Sequence, residues 1–92
     1  MTATTSADFD FEFYSAAEHA LANFLGTDDL DQDIVELVGD CMFEAVQALP
    51  NDARFAALLE KSSTYVQADM DEDTLADYVG ELEEQMEAYD LL

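Results

Sequence analysis

Positive charge is almost missing from this sequence. Arg54 and Lys61 stand against 23 aspartates and glutamates, for a formal net charge of −21. Such a chain repels nucleic acid and anionic membranes, so any charged partner should be basic. Phosphate-gripping loops are excluded as well, because Gly26, Gly39 and Gly80 stand alone and cations are scarce. Cys41 is the only cysteine, which rules out an intramolecular disulfide and fits a reducing cytoplasm. His19 is the only histidine, and one of each cannot build a tetrahedral zinc site without carboxylates. No apolar run approaches the roughly 18 residues of a membrane span. Met1 to Ala7 carries neither the basic start nor the apolar centre of a signal peptide. The expected location is the cytoplasm.

What remains is a folding sequence. Half of the residues are hydrophobic, among them 6 Phe and 4 Tyr, which argues against disorder despite the charge. The 92 residues suffice for one domain. Residues 1–7 are small and polar and read as a frayed tail, leaving 8–92 as a single acidic helical domain. The stretch Asp8-Phe-Asp-Phe-Glu-Phe13 admits two readings. As a helix from Asp8, it places Phe9, Phe13, Ala16, Ala17, Ala20, Leu21 and Phe24 on one face, with Gly26 as the stop. As a strand, it alternates with period two and needs a partner, for which only the region around Thr64-Tyr-Val-Gln67 qualifies. The helix is favoured; an α+β fold with a two-stranded ribbon from 8–14 and 63–68 is the alternative.

Three further helical segments follow. Leu30, Ile34, Leu37, Val38, Cys41, Ala45, Val46 and Leu49 form a stripe ended by Pro50. Phe55, Leu58, Leu59, Tyr65 and Val66 mark the next, with a break expected near Ser62-Ser63. The last begins at Asp73-Thr74 and turns Leu75, Tyr78, Val79, Leu82, Met86 and Tyr89 inward. The expected fold is all-α, a small four-helix bundle.

Candidate chemistry is sparse. Asp29-Leu-Asp-Gln-Asp33 and Asp69-Met-Asp-Glu-Asp73 offer alternate acids as calcium loops do. Their sixth positions, Ile34 and Thr74, are not glycine, and their twelfth, Asp40 and Gly80, are not glutamate. Helix caps and first-turn acids explain both segments better. Cys41 lies on an apolar stripe and reads as a small buried hydrophobe, and His19 as solvent-facing. Met42, Met70 and Met86 read as core filler. Phe11, Tyr14 and Phe43 sit at stripe margins, where together they would mark a partner surface. No group looks tuned for catalysis, so neither an enzyme nor a cofactor is expected.

The carboxylates, by contrast, are patterned. Asp33, Glu36, Asp40 and Glu44 fall at i, i+3, i+7 and i+11, opposite the apolar stripe of their segment. Asp73, Asp77, Glu81, Glu83, Glu84, Glu87 and Asp90 crowd the last one. At about 1.5 Å rise per residue, that is roughly one charge per 3.6 Å of helix. One strand of duplex DNA carries one per about 3.4 Å. Like charges at i, i+4 destabilise a helix, and no lysines intervene.

In size, charge and helical acid arrays the chain resembles the DNA-mimic inhibitors of phages and mobile elements, the anti-restriction and anti-CRISPR proteins among them. That resemblance implies a cytoplasmic inhibitor that occupies the basic nucleic-acid-binding groove of a target protein and does not itself bind nucleic acid. The eleven acids just named are then the candidate partner-binding residues. Two other readings use the same composition. One is an acidic interaction module or chaperone for a basic protein, built on an apolar groove or a homodimer seam. The other is adaptation to high salt, with no function in the charge itself.

Overall fold

Side chains that stop and start helices partition the chain. In the computed structural model, which describes the backbone of residues 2–92 and the side chains of 11–92, four helices follow in order. They are α1 (Thr2–Leu25), α2 (Gln32–Ala48), α3 (Asp52–Val66) and α4 (Glu72–Ala88). Asp31 caps α2 by accepting from the Asp33 amide at 2.9 Å, and Asn51 caps α3 by accepting from Arg54 at 3.2 Å. Asp71 caps α4 by accepting from Thr74 at 2.8 Å. Each satisfies an amide that the first helical turn leaves without a partner. At the end of α1, Gly26 takes φ +72°, a left-handed value that favours glycine, and its amide donates to the Ala22 carbonyl.

The fold is all-α, with no strand among the described residues. The ribbon alternative therefore falls, since 8–14 lies inside α1 and 63–66 forms the last turn of α3. Helical backbone also begins before Asp8, at Thr2, so Asp8 is not the residue that starts α1. The tail expected over 1–7 falls on Met1, outside the described residues, and on positions whose side chains lie outside them. The break expected at Ser62-Ser63 does not occur. Both residues are buried inside α3, and their hydroxyls donate back to the carbonyls of Leu59 and Glu60, so no polar group is stranded.

The helices pack in a ring. α1 adjoins α2 and α4, and α3 adjoins the same two, so α2 and α4 stand across the diagonal. Ala16, Ala17 and Ala20 are buried on α1, small enough to bring its neighbours close. Around them pack Phe13, Leu21, Val38, Met42, Leu59, Leu82 and Met86, all essentially without solvent contact. On α2 the buried arc contains Val35 and Met42, while Leu37 and Leu49 remain 40% and 37% exposed. The stripe is thus rotated from the expected one, because α2 is covered on two sides, by α1 and by α3.

Tyr78 sits at the centre. Its ring meets Phe24 edge-on at 5.3 Å, and its hydroxyl lies 2.7 Å from Ser62 Oγ. Because the single Ser62 proton goes to Leu59, the Tyr78 hydroxyl donates to Ser62. Burial pushes the Tyr78 pKa up to about 12, so the ring stays neutral in this contact between α3 and α4. Removing one partner strands the other. Ser62→Ala should cost about 1–3 kcal/mol and Tyr78→Phe about 0.5–1.5 kcal/mol, and the double variant less than their sum. Urea unfolding of the four proteins measures this, and strictly additive losses would show that the hydroxyls act separately.

Candidate functional site: the carboxylate rows

Successive helical residues rotate by about 100°, which decides where each acid points. On α2, Asp33, Glu36, Asp40 and Glu44 fall within an arc of about 80°, opposite Val38 and Met42. All four are exposed. They form one outward row. Asp40 accepts a hydrogen bond from the Tyr14 hydroxyl at 3.0 Å. Gly39 makes that possible, since a Cβ there would collide with the Tyr14 ring.

The seven acids of the last segment do not share one line. Asp73, Asp77, Glu84 and Glu87 point outward and are exposed. Glu81 turns toward α1, where the Asn23 amide group donates to it at 3.5 Å, and is half-buried. Glu83 lies on the other side, lining a groove with Glu60 of α3, and is also half-buried. Together these six fan over about 160° of the helix, leaving the rest to the core. Asp90 lies past the helix end with φ 60°. There the Leu91 amide donates to the Met86 carbonyl and the Asp90 amide to Glu87, a left-handed C-terminal cap that usually takes glycine.

Placement on the diagonal separates the two rows. α2 and α4 present their outward acids at opposite corners of the ring, so the eight outward residues form two faces and not one. Neither helix carries a basic residue in its last turn. Glu84 and Glu87 instead add negative charge at the negative end of the α4 dipole, where anions are disfavoured. With only two cations in the chain, most of these carboxylates have no countercharge within it.

Beside the α2 row, Phe11 is 69% exposed and borders a concavity of about 380 Å³ with Tyr14, Glu18, Val35 and Glu36. Phe43 is half-buried, its ring edge-on to Phe13 at 5.3 Å. Of the three marginal aromatics, then, Phe11 is the one presented to solvent.

The remaining candidates have local explanations. In the two Asp-x-Asp-x-Asp segments Asp31 and Asp71 are caps, while Asp33 and Asp73 are first-turn acids. Among the described residues no group of three or more His, Cys, Asp and Glu is arranged to hold a metal ion. Burial pushes the Cys41 thiol up, with Lys61 opposing and Glu44 and Asp40 adding to the rise, which is the reverse of thiolate activation. His19 is exposed, its Nδ1 2.6 Å from the Tyr89 hydroxyl. No described helix is long and apolar enough to cross a membrane.

Two of the acids yield direct tests. Asp90→Gly removes a charge and relieves the left-handed strain, so it should stabilise the protein by about 1 kcal/mol in urea unfolding. Asp71 is held below the ordinary carboxylate range by hydrogen bonds from the Thr74 hydroxyl and amide. A depressed folded-state pKa means its contribution is complete above the unfolded value, near 3.9, and is lost as pH falls through the folded one. The stability gap between wild type and Asp71→Ala should therefore hold steady above about pH 5 and close in stronger acid.

Comparison with protein-family models, with curated proteins and with solved structures found no match for this chain.

Proposed function

We propose that this protein is a nucleic-acid mimic that binds a basic groove in a target protein and blocks DNA or RNA from entering it. The observation that carries this reading is the pair of outward carboxylate rows, kept where they cost the fold stability. Solubility alone would be served by a net charge of magnitude about 2–8 with both signs mixed. Here the charge is −21, and acids extend to the C-terminal end of α4.

Rows at opposite corners suit a cleft with two basic walls, one wall meeting Asp33, Glu36, Asp40 and Glu44, the other Asp73, Asp77, Glu84 and Glu87. Lysines and arginines that hold phosphates would pair with carboxylates instead. Phe11 adds apolar contact beside the first row and helps select among basic targets. Association is steered by charge, so it should be fast at low salt and slow sharply as salt rises.

The test joins function to stability. The protein, immobilised, is exposed to nuclease-treated host lysate, and the retained protein is eluted with duplex DNA or RNA. That protein's nucleic-acid binding is then titrated with wild type and with Asp77→Lys/Glu84→Lys/Glu87→Lys. The triple variant should inhibit at least about a hundredfold more weakly, since close charge pairs at interfaces are worth about 1.5–7 kcal/mol. It should also melt several degrees higher, because each reversal relieves repulsion and two of them complement the helix dipole. Inhibition left intact by the triple variant would refute the mimicry.

A further inference from the structure

The seam between α3 and α4 is the sparsest of the four in the ring, and it leaves a groove of about 510 Å³. Its floor is apolar, made by Leu75 and Val79, both half-buried, with Ala76 and Gly80 along one side. Carboxylates stand around it: Glu60 on α3, and Glu72 and Glu83 at the two ends of the α4 strip. From Glu72 to Glu83 the strip runs about 16 Å, the length of three helical turns.

Gly80 is the informative residue. Glycine is among the poorest residues for a helix interior, and folding accounts for it only where a side chain would collide. Gly39 is such a case, pressed against Tyr14, but a Cβ at Gly80 would meet nothing within 4 Å. Gly80 is exposed, and no described residue packs where its side chain would stand. Ala76 and Gly80 therefore leave this rim of the groove low, and small residues let a second helix approach closely.

We infer that this groove receives a cationic amphipathic helix of a protein partner, its apolar face on Leu75 and Val79 and its lysines or arginines against Glu60, Glu72 and Glu83. A second copy of the chain is a poor occupant. It carries the same net charge of −21, and a two-fold contact would set these glutamates against themselves. The groove borders the α4 row on its α3 side, with Gly80 on the same helix line as Asp73, Asp77, Glu84 and Glu87. Its occupant, however, is a helix laid along α4 and not a basic cleft closing on both rows.

The probe is a synthetic peptide of about 15 leucines and lysines with its leucines at helical spacing. The control has the same composition with its leucines at alternating positions. Binding to the intact protein is read by fluorescence anisotropy at about 0.3 M salt, where long-range attraction is screened. The helical peptide should bind at least about tenfold more tightly than the control, and Gly80→Leu should remove at least about tenfold of that affinity. Glu36→Gln/Glu44→Gln on the outward α2 row, across the ring, should change it less than about twofold. Gly80→Ala should raise Tm by a few degrees, which verifies that glycine is not kept for folding. Equal binding of the two peptides, full binding by Gly80→Leu, or equal loss from the outward-row variant would each overturn the groove. Competition with nucleic acid is tested separately, by the charge reversals along the rows.

Discussion

Like charges repel, and the fold of this chain is organised around keeping its acids apart. With 23 acids and 2 cations, no arrangement of ion pairs could neutralise the surface. Stability has to come from burial, at about 1.5–3 kcal/mol for each large apolar side chain removed from water. The ring supplies this by turning Phe13, Leu21, Met42, Leu59, Tyr78, Leu82 and Met86 onto one another. The same ring distributes the acid-rich helices α2 and α4 to opposite corners, which increases the distance between the two densest rows. Segregation of core and charge is therefore a single solution to two requirements.

Much of this was legible in residue spacing. The apolar periods of the first and last segments located Phe13, Ala16, Ala17, Ala20, Leu21, Tyr78, Leu82 and Met86, and each is buried. Where doublets such as Ile34-Val35, Leu37-Val38 and Cys41-Met42 occur, two overlapping stripes fit equally well. Only the neighbours on both sides of α2 choose between them, and they choose Val35 and Met42 over Leu37. Ser62 was misleading for another reason. A serine reads as a break, yet inside a helix its hydroxyl can bond the preceding turn, and across the seam it meets Tyr78.

The candidate acids divide in the same way. Asp33, Glu36, Asp40 and Glu44 were resolved by spacing, because a single helix face is a local property. In α4 a simple count of acids concealed three directions, since Glu81 and Glu83 belong to different seams and Asp90 to a C-terminal turn. The α3–α4 groove had no sequence signal at all. It arises from how far apart two helices sit, and the only clue, an isolated Gly80, has no meaning until the space around it is seen.

The contact between Tyr14 and Asp40 has a consequence for recognition. Carboxylates on an open helix face sample several rotamers, and immobilising one on docking costs about 0.5–1.5 kcal/mol for a rotamer-rich side chain. Asp40 is already tethered by the Tyr14 hydroxyl, across a gap that Gly39 opens. Midway along its row, it is the member held by a neighbouring side chain. Under the proposed function, an arriving guanidinium would find that carboxylate already oriented.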